Sequence, residues 1–87
     1  LVIPQSLTYI PTSAFEGCWF GGNLQLHNGI GAIGESAFAN NGFKGEIILP
    51  KDLRSIPNRC FYNNDFSGQL KLPEFLGSIG ERAFAYN

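Results

Sequence analysis

His27 is the only histidine among 87 residues, so any Ser-His-Asp or Cys-His pair would have to use it. The positions equivalent to it in three other parts of the chain hold Pro4, Pro50 and Pro73, which marks His27 as a surface turn residue and not a base. Glu35 and Glu81 occupy equivalent positions and could suggest paired acid–base carboxylates. A carboxylate at a helix N-terminus, favoured by the helix dipole, is the simpler reading. Gly29-x-Gly31-x-x-Gly34 spells a dinucleotide-binding string, but the equivalent positions hold Ser, Thr or Arg, and Pro, and no strand–helix crossover surrounds it. Cys18 and Cys60 have no zinc spacing with any histidine, and the acidic residues are too scattered for a calcium loop. The reading is non-enzymatic: no catalytic residues, no metal ligands and no cofactor.

These residues lose their meaning as motifs because they belong to a repeat. Leu1, Leu24, Ile47 and Leu70 recur every 23 residues, as do Ile10, Ile33, Ile56 and Ile79, and Phe15, Phe38, Phe61 and Phe84, without insertion or deletion. A period of this size predicts an array of identical supersecondary units. The copies run 1–23, 24–46, 47–69 and 70–87, a single repeat domain that breaks off within its pattern and so reads as part of something longer. Seven columns are apolar in every copy present. At 44% hydrophobic content a column would be uniformly apolar by chance roughly 4% of the time, so the pattern is not accidental.

The third copy shows how one unit should fold. Ile47-Ile48-Leu49 alternates as a short strand with Ile47 and Leu49 inward, and Pro50 ends it because proline cannot donate to a ladder. Leu53 and Ile56 return to the interior. Pro57 suits the first position of a helix, Cys60 and Phe61 its apolar face, and Asn63-Asn64-Asp65 its end. Pro11, Gly34, Pro57 and Gly80 alternate at the helix entry. Stacked copies bury the apolar columns, turn the two phenylalanine columns into aromatic stacks, and set the Asn41–Asn64–Asn87 column to hydrogen-bond between copies. The cysteines lie in different columns two copies apart, ~9–10 Å along a β stack, too far for a disulfide, and read as buried apolar fillers.

With those residues in hand, the chain resembles the BspA-like leucine-rich repeats, approximately Leu-x-Ile-Pro-x-x-Leu-x-x-Ile-Gly-x-x-Ala-Phe-x-x-Cys/Asn. The string appears as Leu72-Pro73, Leu76, Ile79-Gly80, Ala83-Phe84 and Asn87, and again from Leu26 through Asn41. Ser6, Gly29, Asp52 and Phe75 stand where an ordinary leucine-rich repeat places Asn, and His27 replaces the strand-ending proline. The fold expected is α/β, a right-handed leucine-rich-repeat solenoid of nearly four repeats with short parallel strands on one face and short helices on the other. The resemblance implies a surface-exposed or secreted bacterial protein acting in adhesion or host recognition, and supplies no functional residues.

Binding must then come from variable outward positions. On the strand face these are Asn23, Gln25, Glu46, Ile48, Gln69 and Lys71, a flat or gently concave array suited to a protein or glycan, a host matrix protein among them. Trp19 stands where other copies hold Gly42 and Asp65, and reads either as an interaction anchor or as a residue packing on a preceding repeat. A structural spacer or self-assembling array displaying another domain is the alternative. Uncapped ends should favour homo-oligomers. Net charge is −1 with scattered charges, which gives no nucleic-acid footprint, and no apolar run is long enough to insert in a membrane.

Overall fold

The inward columns close over one another through the middle of the stack, whereas Leu70, Leu72 and Ile79 of the fourth copy stay exposed. In the structure, a computed structural model describing residues 1–87, one cluster of buried side chains links the copies and includes Ile10, Ile30, Leu53 and Ile56 together with Phe38, Phe43 and Phe61. Phe15, Phe38, Phe61 and Phe84 stack at centroid distances of 5.5, 5.7 and 5.4 Å. A second column, Phe20, Phe43 and Phe66, stacks at 6.2 and 6.1 Å. The two columns meet edge to face, Phe38 on Phe43 at 6.3 Å and Phe61 on Phe66 at 6.0 Å. Rings arranged this way add to the burial term through their quadrupoles.

The asparagine column ties this core together. Asn64 Nδ2 donates to the carbonyls of Phe38 (2.8 Å) and Phe61 (3.1 Å), while its Oδ1 accepts the backbone N–H groups of Asn41 (3.0 Å) and Phe43 (3.2 Å). Asn41 and Asn87 repeat the donor half of this pattern, to Phe15 and Phe38 and to Phe61 and Phe84. Each amide thus bonds within its own turn and to the copy before it.

The fold is nonetheless not α/β: it contains no helix. Its regular elements are six two-residue strands, β1 (Tyr9–Ile10), β2 (Ala32–Ile33), β3 (Lys44–Gly45), β4 (Ser55–Ile56), β5 (Asp65–Phe66) and β6 (Ser78–Ile79). They pair in parallel as β1 with β2, β3 with β5 and β4 with β6. Where helices were expected, each copy makes two separate turns. Cys60 N–H donates to Pro57 O and Tyr62 N–H to Arg59 O, each bond spanning three residues. The intervening amides point out of the turn: Arg59, Phe61 and Asn63 donate to Glu81, Ala83 and Ala85 of the next copy at 3.0, 2.9 and 2.8 Å. A helix would send those amides to its own preceding carbonyls. The break comes at Ser13, Ser36, Arg59 and Arg82, all left-handed with φ between 54° and 58°. That conformation costs an L-residue roughly 1–2 kcal/mol, which ladder bonds of about 1 kcal/mol each, together with the buried Phe column, offset. The helix-dipole reading of Glu35 and Glu81 falls with the helices.

The strands also lie away from the expected place. At the opening of each copy only one bridge forms, Val2 with Gln25, although Ile47 and Leu49 are buried and Ile48 exposed as the alternation requires. The ladders form instead around Ile10 and Ile56, and proline explains their boundaries. Gly34 N–H donates to Ile10 O at 2.7 Å and Gly80 N–H to Ile56 O at 2.6 Å. Pro57 has no N–H to offer Ile33, so β2 and β4 do not pair. There the stack is held one corner away by β3 and β5, with Asp65 N–H on Phe43 O at 2.7 Å. Glycine is required at position 34 because an added Cβ would lie 2.3 Å from Thr12 N, and at position 80 because it would lie 2.4 Å from Asn58 N.

Candidate ligand-binding face

The variable residues are carried by the extended segments 1–3, 24–26, 47–49 and 70–72. Only the first two of these segments are joined by backbone bonds, Ile3 N–H to Gln25 O at 3.0 Å and Gln25 N–H to Leu1 O at 2.8 Å. The later segments gape, and the face is not the regular flat sheet expected. Two adjoining depressions open in the gaps. Asn23, Gln25, Glu46 and Ile48, with Leu24, Leu26 and Gly45, line one of about 500 Å³. Glu46, Ile48, Gln69 and Lys71, with Lys51 among others, line a second of about 320 Å³. Glu46 and Ile48 are common to both and form the ridge between them, where Ile48 is 76% exposed.

A column of glycines shapes this ridge. Gly22, Gly45 and Gly68 all have positive φ, of 64°, 76° and 87°. Asn23 Oδ1 lies 3.0 Å from where a Cβ on Gly45 would be, and Glu46 Cγ 2.7 Å from one on Gly68. Each side chain therefore lies across the glycine of the next copy, which fixes the polar rim of each depression. The uniform glycine column is the signal for this in the sequence, where it reads only as a turn.

Trp19 is not part of this face. It stands on the segment after the first turn, 73% exposed and left-handed at φ 56°, between Cys18 and Phe20. Cys18 is exposed, against the expectation of two buried thiols, while Cys60 is fully buried. Both are free, and burial pushes the Cys60 thiol far above its ordinary pKa.

The remaining sequence candidates acquire other surroundings. His27 is structural: its Nε2 lies 2.9 Å from Pro4 O and 3.0 Å from Leu7 O, and Nδ1 accepts Gly29 N–H at 3.1 Å. The accepting Nδ1 assigns the proton to Nε2, so one ring bonds its own turn to the turn of the first copy. Glu35 and Glu81 line a small polar depression of about 160 Å³ with Ser36, Asn58 and Arg59. Asn58 Oδ1, between them, accepts Glu81 N–H at 2.7 Å, so the carboxylates are separated by a turn contact. No group of three or more His, Cys, Asp or Glu side chains is placed to hold a metal ion, and no helix is long and apolar enough to cross a membrane.

What the geometry offers is an array of short polar and apolar side chains over two open depressions, carried on a stack of repeats. Comparisons with curated proteins and with solved structures give no match. A family model does match, described as the BspA type leucine rich repeat region (6 copies), over residues 1–87. The chain belongs to the BspA-type leucine-rich repeat family.

Proposed function

We propose that this chain is a non-enzymatic binding module of a cell-surface or secreted protein, acting in adhesion or recognition through the face that carries Asn23, Gln25, Glu46, Ile48, Gln69 and Lys71. The observation that carries the reading is Ile48, a large apolar side chain 76% exposed on a ridge between two depressions with amide and charged rims. An apolar centre with a polar surround is the usual anatomy of a protein contact. A glycan is the other class of ligand considered, but no aromatic ring lines either depression to stack on a sugar, which favours a protein. Family membership supports a surface location, since BspA-like repeats are linked to surface-exposed bacterial proteins.

The test replaces Gln25, Ile48 and Lys71 together by alanine. None of the three side chains belongs to the buried core, so the circular dichroism spectrum should not change. Retention of a binding partner from a panel of immobilised matrix proteins and glycans should fall at least tenfold. Retention equal to that of the unaltered chain removes the face from consideration. A chain with no saturable partner anywhere in the panel fits a spacer instead.

A further inference from the structure

The segment 17–22 breaks the repeat's own hydrogen-bond rule. In the third copy, Asn64 Oδ1 accepts the N–H groups of Asn41 and Phe43 from the copy before it, and in the fourth, Asn87 Oδ1 accepts that of Phe66. By the same rule, Asn41 Oδ1 should accept the N–H groups of Cys18 and Phe20. It accepts nothing, although Asn41 is 1% exposed. Its amide nitrogen is fully engaged, on Phe15, Phe38 and Ala39, so the side chain is already turned with Oδ1 toward the missing donors.

The cause lies in the identity of residue 18. In later copies the column residue is Asn, whose Nδ2 ties its own turn by bonding the carbonyls two and three residues back. Cys18 has no such donor, and its Sγ sits 3.8 Å from Glu16 O, a weak substitute. Residues 18–20 make no backbone bond to the second copy and lie between Gly17 and the pair Gly21–Gly22, all with positive φ between 63° and 67° and open space where a Cβ would be. The ends are anchored there by Gly17 N–H on Ala39 O at 2.9 Å and Lys44 N–H on Gly22 O at 2.7 Å. Gly21 N–H is bonded to Asn41 O at 2.8 Å, which holds the displaced position. Glycines with room at both ends of a stretch held only at those ends suit a hinge.

We propose that segment 17–22 is a two-state strap. The form seen here leaves Asn41 Oδ1 bare and carries Trp19 outward. In the closed form the backbone of 18–20 moves inward, with Phe20 kept on Phe43, and donates Cys18 N–H and Phe20 N–H to Asn41 Oδ1, continuing the asparagine ladder into the first copy. A buried carbonyl oxygen without a donor is unfavourable, and the repeat already contains the arrangement that satisfies it. Trp19, the outward residue that the strand face does not include, is thereby carried on a moving element.

Amide hydrogen exchange in the full chain, read residue by residue by NMR, tests this with Cys18→Asn and Cys18→Ala. The asparagine side chain of the first variant supplies the missing Nδ2 donor and should drive the strap closed, slowing exchange at amides 18 and 20 at least tenfold relative to both the unaltered chain and Cys18→Ala. Slowing of less than tenfold, or equal slowing by alanine, overturns the proposal. Position 18 is exposed, so neither substitution threatens the fold. A water molecule detected by its cross-relaxation with the Asn41 side chain in the unaltered protein would also overturn it, since the oxygen would then already have its donor.

Discussion

Gly34 donates its backbone N–H to Ile10 O at 2.7 Å, and it does so from a position where a Cβ would lie 2.3 Å from Thr12 N. The bond and the close approach require each other. At the equivalent position one copy later, Pro57 provides neither the N–H nor the space.

Pro57→Gly should therefore join β2 to β4, whereas Pro57→Ala should not. Both restore an N–H, but only glycine permits the approach. Amide 57 should show slow hydrogen exchange in Pro57→Gly and fast exchange in Pro57→Ala. Thermal stability should change little in the glycine variant, because a bond of about 1 kcal/mol is set against a similar gain in unfolded-chain entropy. The reverse substitution, Gly34→Ala, should cost roughly 2–3 kcal/mol in urea unfolding, as expected for a Cβ forced against backbone.

Asn64→Ala should be among the most damaging single changes. It leaves two buried amides without their acceptor and the carbonyls of Phe61 and Tyr62 without this donor, for a loss of roughly 3–5 kcal/mol. Asn87→Ala removes the same side chain from an exposed position and should cost about 1 kcal/mol. Chemical denaturation of the two variants side by side checks the contrast.

One thiol, not two, should react with a maleimide at pH 8 in the native chain, because Cys18 is exposed and Cys60 is buried. Unfolding in guanidinium should release the second. Since burial raises the Cys60 thiol pKa, the unfolded chain loses that proton first as pH rises. The contribution is intact below the ordinary thiol range near 8.5, and above it stability should fall by about 1.4 kcal/mol per pH unit. Cys60→Ala, the residue of the other copies, should abolish that slope.

His27→Ala should destabilise by roughly 1–2 kcal/mol through loss of the ring's bonds to Pro4 O, Leu7 O and Gly29 N–H. His27→Pro copies the other repeats but supplies none of those bonds. If the ring is what holds the first two copies at this corner, proline should not restore stability in thermal melts.

The core is legible in the sequence because it is repeated. Stacked copies set Phe15, Phe38, Phe61 and Phe84 over one another, and bring the Asn column within bonding reach of the neighbouring copy. The expectation of helices fails because Pro57, Cys60 and Phe61 have the three-residue spacing of a helical turn, and a chain of separate turns has it too. What separates the two is the left-handed backbone at Ser13, Ser36, Arg59 and Arg82, and neither serine nor arginine announces it. The alternation of Pro11, Gly34, Pro57 and Gly80 is visible in the sequence, but it marks the presence and absence of a ladder bond and not a helix entry. The outward residues follow by elimination. The depressions around them do not, because they arise where backbone bonds fail to form between Gln25, Ile48 and Lys71.

A chain written almost four times over risks folding onto the wrong copy of itself, since a slip of 23 residues would keep both phenylalanine columns in register. The proline–glycine alternation removes that degeneracy by giving the copies parity. A correct Pro-then-Gly neighbour closes a ladder at Ile10 or Ile56. A slip by one copy sets proline against proline, or glycine against glycine, and the close approach that Gly34 makes to the Pro11–Thr12 backbone has no counterpart. The same residues that interrupt the sheet thus act as its page numbers, and a variant with glycine at all four positions would form more hydrogen bonds and be easier to misassemble.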